Sequence, residues 1–105
     1  MSGHVYTIDE IKQIIAPIAS RHGVSRVFLF GSYANGSATT TSDVDLCVDA
    51  SGLRGLLALS GLYLDLQEAL QKDLDLITTN SLKRNKDADF LANLRKEQVL
   101  IYAGN

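Results

Sequence analysis

The chain has 105 residues, 46% apolar and 21% charged, with a net charge of −2 and an isoelectric point near 5.5. That length supports one domain with a single modest core, and the apolar content excludes a disordered chain. The acidic balance excludes a general nucleic-acid binder: the one basic cluster, Lys83-Arg84-Asn85-Lys86, is offset by Asp87 and Asp89.

Thr7-Ile8-Asp9-Glu10 has the spacing of a capping box, with Thr7 as N-cap and Glu10 three residues on. Ile8, Ile11, Ile15 and Ile18 then recur at helical spacing up to Arg21-His22, where Gly23 suits the stop. Pro17 lies inside this helix and is expected to kink it. His22 is expected as a cation at the helix C-terminus, and His4 as part of a disordered terminus. "RVFLF" (26–30) predicts a first strand ended by Gly31, and "DVDLCVD" (43–49) a second. Strict alternation in the second puts Asp43, Asp45 and Cys47 on one face and Val44, Leu46 and Val48 on the other.

Ser51 is positioned to cap a second helix over roughly 52–72. Its stripe would be Leu56, Leu59, Tyr63, Leu66 and Leu70, widened by Leu53, Leu57 and Leu64; most of it is expected as core, and its width leaves open that one edge faces a partner. "DLDLIT" (73–78) predicts a third strand, a third helix follows around 86–97 with Phe90, Leu91 and Leu94, and "QVLIY" (98–102) closes as a fourth strand. The order α-β-β-α-β-α-β predicts an α/β (α+β) domain over 1–105, a small mixed sheet packed with helices. The short segment between the first two strands favours their antiparallel pairing.

Cys47 is the only cysteine, which leaves no internal disulfide and no cysteine-based zinc site; it is expected as a small buried residue. The start, "MSGHVYTIDE", lacks the basic and apolar regions of a signal peptide, and no apolar run approaches the roughly 18 residues of a membrane span. The chain therefore reads as soluble and cytoplasmic, with no membrane partner.

The stretch "FGSYANGSATTTSDVDL" (30–46) carries the chemistry. Asp43 and Asp45 project from one strand face with Cβ atoms about 7 Å apart, and two carboxylates so close repel unless a cation sits between them. Hard oxygen ligands in that arrangement suit Mg²⁺, which shares its shell readily with phosphates. Asp75 completes the set if strands two and three are neighbours. It is preferred to Asp73 because it sits mid-strand between Leu74 and Leu76, where a structural charge is poorly tolerated. Three aspartates and two metal ions make a clamp for in-line displacement at phosphorus. Gly31-Ser32 permits a tight turn with close backbone approach, and the N–H groups after it suit an anion-binding nest for the terminal phosphates of a nucleotide. Tyr33 is placed either to stack on a base or to cover this turn. Taken alone, the aspartate pair would read as a solvated strand edge and Gly31-Ser32 as a plain turn.

The Gly31-Ser32 turn, a ten-residue spacer, Asp43-Val44-Asp45-Leu46 and a later Asp75 in "LDLIT" together resemble the DNA polymerase β-like nucleotidyltransferases, specifically the minimal (MNT, MntA-type) domains. The resemblance covers nearly the whole chain. It implies a polymerase β-like nucleotidyltransferase fold and transfer of a nucleoside monophosphate, AMP from Mg-ATP, to a hydroxyl of a partner protein. Gly31, Ser32, Asp43 and Asp45 would bind the nucleotide, and Asp43, Asp45 and Asp75 would be the catalytic, metal-binding set. The partner implied is a helical HEPN-type toxin, neutralised by this chain as antitoxin, with homo- or hetero-oligomers possible. In one respect the chain departs from the pattern: where "GSxARG" is frequent, it reads "GSYANG", with Asn35 in place of arginine. That departure favours the competing expectation of a weakly active or inactive module that binds its partner without catalysis.

Overall fold

A computed structural model describes residues 4–104, so the first three residues of the stretch read as lacking a leader lie outside it. The first helix, α1 (Ile8–Arg21), begins at the expected capping box: the Glu10 N–H donates to Thr7 Oγ1 at 3.1 Å and the Thr7 N–H to Glu10 Oε1 at 2.8 Å. Two orphan donors of the first turn are thereby satisfied. Pro17 lies inside α1, whose buried stripe is Ile11, Ile15, Ile18 and Ala19. His22 forms the C-cap, and its Nε2 lies 2.7 Å from Asp65 Oδ2. His4 corrects the expectation of a disordered end: its ring meets Tyr6 edge-on at 4.7 Å and its Nε2 lies 3.3 Å from Glu10 Oε1.

Beyond α1 come β1 (Arg26–Phe30), α2 (Gly31–Asn35), β2 (Val44–Asp49), α3 (Gly55–Leu70), β3 (Leu74–Thr78), α4 (Thr79–Lys83), α5 (Ala88–Glu97) and β4 (Val99–Ala103). The four strands form one mixed sheet in the order β3-β2-β1-β4. β1 pairs antiparallel with β2 and with β4, whereas β2 and β3 run parallel. Parallel neighbours need a crossover, and α3 supplies it. Val27 and Leu29 of β1, Val44, Leu46 and Val48 of β2, and Ile101 of β4 face a core shared with α1 and α3. The opposite face of β2 carries Asp45, the buried Cys47 and Asp49.

The structure corrects four expectations. α3 starts at Gly55 rather than 52, with Arg54 at the N-cap and no side-chain cap bond, so Ser51 is not its cap. Its buried side chains are Leu62, Leu66 and Leu70, while Leu56, Leu57 and Leu64 are 78%, 88% and 60% exposed. The leucines are too numerous for one stripe, so their count could not say which face turns inward; the sheet selects Leu62, and Leu56 and Leu57 stay outside. α2 and α4, five residues each, add a helix where a turn was expected at Gly31-Ser32 and a helix in a segment to which no element had been assigned. The third predicted helix is trimmed to α5, because Asp87 caps it through a 3.1 Å bond from the Phe90 N–H. Among the described residues, no helix is long and apolar enough to cross a membrane.

Candidate active site

Because β1 runs antiparallel to β2 and β2 parallel to β3, the C-terminal end of β1 and the N-terminal ends of β2 and β3 meet at one edge of the sheet. Register makes this a row: Phe30 pairs with Asp45, and Asp45 with Asp75. Neighbouring strands lie about 4.8 Å apart, so the carboxylates of Asp45 and Asp75 share a face at close range. Asp43 lies just before β2 and is exposed. Among the described residues, no three His, Cys, Asp or Glu side chains converge closely enough to hold a metal ion. The fold thus brings Asp45 and Asp75 together and leaves Asp43 beside them, rather than preassembling all three. Asp75 is exposed, which overturns the argument from poor tolerance of a mid-strand charge; its register opposite Asp45 is what distinguishes it from Asp73.

Gly31 follows Phe30 with φ +69°, a left-handed conformation that glycine adopts without a Cβ penalty. A Cβ there would overlap Asp45 Oδ2, so the backbone of the turn rests directly on the carboxylate. Ser32 is half-buried in the first turn of α2, whose leading N–H groups have no intrahelical partner. The helix ends at Gly36, φ +83°. Asn35 is occupied locally: its Oδ1 accepts from the Ser37 N–H at 3.0 Å and from Ser37 Oγ at 2.5 Å. Tyr33 is 4% exposed and packs in the core, which settles its two readings in favour of covering the turn.

Burial raises the pKa of the Asp45 carboxyl, and the charges of Asp75 and then Asp43 push it further up. None of the ion pairs among the described residues involves Asp43, Asp45 or Asp75. This is a concentration of negative charge that no cation among the described residues pairs with. A cleft of about 260 Å³ opens over the row, lined by Gly31, Asp45 and Asp75 and walled by Phe90, Leu94 and Glu97 of α5. Phe90 and Leu94 were expected on a helix but not at the site, and Glu97 was not singled out, since nothing in their spacing tells which strands the helix lies across. Cys47 shares the strand face of Asp45 but not the cleft lining, and burial pushes its thiol up to about 11, an inert state.

Residues 9–103 match the family model for the nucleotidyltransferase domain. A Methanocaldococcus jannaschii chain provisionally named a protein adenylyltransferase is 44% identical over 75 residues, which is 71% of this chain and 81% of that one. The protein adenylyltransferase MntA of Thermococcus cleftensis is 36% identical over 81 residues, 73% of this chain and 82% of the relative. Among solved structures, a minimal nucleotidyltransferase superposes with a TM-score of 0.70 at 27% identity, covering 92% of this chain and 98% of that one. A toxin–antitoxin complex with AMP-PNP gives a TM-score of 0.68 at 22% identity, covering 90% and 74%, a likeness of fold. With the glycine-backed aspartate row at the edge of a mixed sheet, these matches establish that the chain belongs to the nucleotidyltransferase family and is one of its minimal, MNT-type members.

Proposed function

We propose that this chain, acting as one domain over 1–105, transfers AMP from ATP to a hydroxyl of a partner protein, and that the partner is a helical HEPN-type toxin for which it is the antitoxin. The observation that carries this reading is the row in which Gly31 backs Asp45 and Asp45 adjoins Asp75. Protein adenylylation is the activity named for the Thermococcus relative, and a fold neighbour is an MNT antitoxin in complex with a tri-AMPylated HEPN toxin from Shewanella oneidensis. The cytoplasm is the compartment that fits such a pair.

Asp43, Asp45 and Asp75 fit Mg²⁺ in donor chemistry: hard oxygens, in no ion pair among the described residues, with burial and then the neighbouring carboxylates raising the Asp45 pKa. They would hold two ions, Asp75 serving the one nearer the acceptor. Magnesium, when bound, offsets the triphosphate charge and polarises the α-phosphate. The backbone N–H groups after Gly31 and the Ser32 hydroxyl hold the β- and γ-phosphates. Asp75, the exposed member of the row, takes the acceptor's hydroxyl proton as its oxygen bonds to the α-phosphorus; the bond to pyrophosphate breaks, and pyrophosphate leaves with the electron pair.

The test uses ATP labelled at the α- or γ-phosphate, incubated with the purified chain and the protein that co-purifies with it. Label should move to the partner from the α-position only, since a kinase would pass on the γ-label. Asp75→Asn should lower kcat by 100-fold or more with little change in ATP affinity, the behaviour of a group needed mainly in the transition state. A second reading, a module that binds its partner without catalysis, is favoured by Asn35, whose side-chain oxygen is turned back onto Ser37. Neutralisation of the partner with neither label transferred, and equally by Asp75→Asn, would establish that reading instead.

A further inference from the structure

Among the described residues β3 is an edge strand, with β2 on one side and no strand on the other. The Val44 N–H donates to the Asp73 carbonyl at 3.0 Å, which sets the phase of the parallel ladder: Asp73, Asp75 and Ile77 turn their backbone groups toward β2. The N–H and C=O groups of Leu74 and Leu76 therefore point outward, and they take no partner among the described residues. Beside them runs a groove of about 610 Å³ between β3 and α3, floored by Leu59, Tyr63 and Leu74 and rimmed by the exposed Leu56 and Leu64. Leu74, Asp75 and Leu76 all line it although their side chains alternate between faces, so the groove reaches the outer edge of the strand.

A free backbone row beside an apolar trough is complementary to an extended chain. A docked helix would satisfy its own backbone and leave the row unpaired. The adjoining concavity, which meets the groove at Leu64, carries two carboxylates, Glu68 and Asp73, against one lysine, Lys72, whose Nζ donates to the Thr40 carbonyl, so this end of the trough favours a basic residue. Alternation then has a further effect. Side chains of an added strand that enter the groove lie on the α3 side of the sheet, while their neighbours in sequence lie on the side of Asp75 and Asp45.

The geometry points to the β3 edge and the α3 groove as the docking site for an extended segment of the acceptor protein, which adds as a fifth strand and presents its hydroxyl-bearing residue to Asp75. This inference rests on the proposed transfer to a protein hydroxyl, and it identifies how that protein is held. The segment it selects has apolar residues at every second position, a hydroxyl residue between them and a basic residue at the end nearer Leu64.

The probe is a synthetic peptide of sequence Lys-Val-Thr-Val-Tyr-Val-Thr-Val-Lys, acetylated and amidated, with a control in which the two central valines are proline. Amide hydrogen exchange of the full chain is followed by NMR as peptide is titrated to saturation. The Leu74 and Leu76 amides should be slowed at least ten-fold, while Asp75 and Ile77, already bonded to β2, change little and the proline control does nothing. Leu56→Glu combined with Leu64→Glu, both at exposed positions that leave the core intact, should weaken peptide binding at least ten-fold and leave ATP affinity unchanged. No slowing at Leu74 and Leu76, or slowing indifferent to the double substitution, would overturn the inference. So would slowing that grows with protein concentration in the absence of peptide, which would assign the edge to a second copy of the chain. Binding is read without any transfer step, so loss of AMP transfer with docking intact would count against the activity and not against the groove.

Discussion

Asp45 has carboxylates for its nearest charges and a glycine backbone against one oxygen. Its raised pKa means that ionised Asp45 destabilises the folded chain at neutral pH, because folding moves the charge out of water and toward Asp75 and Asp43. Asp45→Asn should therefore unfold at a higher temperature than the parent at pH 7 without divalent cation. Added Mg²⁺ should stabilise the parent and not the variant. Thermal melts with and without metal read both effects, and an Asn variant less stable than the parent would show that the carboxylate serves the fold. At the neighbouring turn, Ser32→Ala should weaken ATP binding by about 1 to 2 kcal/mol, the range for a hydrogen bond to a charged acceptor. Gly31→Val should do more harm, since its side chain would meet Asp45 as well as adopt an unfavourable φ. Isothermal titration of both variants with ATP would expose a purely structural turn as two unchanged affinities.

Elements differed in how openly their sequence declared them. α1 was legible to the residue at its start because Thr7 and Glu10 form a cap through local chemistry alone. β1 and the alternation in β2 were legible because a half-buried strand must repeat every second residue. α3 was not, since its face is decided by the sheet and by α1, and α5 was recognised as a helix without its place over the cleft. The tie between α1 and α3 illustrates how far apart such determinants lie. His22 and Arg21 converge on Asp65 at 2.7 and 3.3 Å, from positions 43 and 44 residues earlier in the chain. The His22 hydrogen bond holds the Asp65 carboxyl below its ordinary pKa, with Arg21 assisting. A carboxyl depressed on folding contributes stability that is present above its unfolded pKa and lost as pH falls through the folded value. Asp65→Asn should lower the melting temperature at pH 7 and lose that deficit in acid, below both values, as melts across the pH range would record. A deficit constant with pH would assign the effect to packing.

For the whole molecule, the sequence motif and the structural site are organised by different lengths. Along the chain the motif is defined by a spacer, ten residues between Ser32 and Asp43 and thirty-odd more to Asp75. In space the site is defined by a row perpendicular to the strands, Phe30 to Asp45 to Asp75, and the spacer does not appear in it. That Asp43 and Asp45 share one strand face was readable because alternation is local, whereas the place of Asp75 beside Asp45 was conditional on β2 and β3 being neighbours, which only the register supplies. The position of Asp43 outside the strand and the wall supplied by α5 were not readable, because both depend on where elements end against one another.

The row has a consequence for how the chain tolerates insertion and deletion. Lengthening the loop after Gly36 by two residues adds little closure entropy, well under about 1 kcal/mol for so small a relative change, and leaves every pair in the row intact. One residue inserted between Val44 and Asp45 would instead turn a β2 segment over, offering Leu46 to the cleft and Asp45 to the core. The longer change should keep ATP affinity and the shorter should abolish it along with the cooperative melt, a reversal of what sequence distance suggests. The segment between β1 and β2 is accordingly free to change length, while the two strands themselves are held to a fixed frame, as a reading frame is held against single insertions.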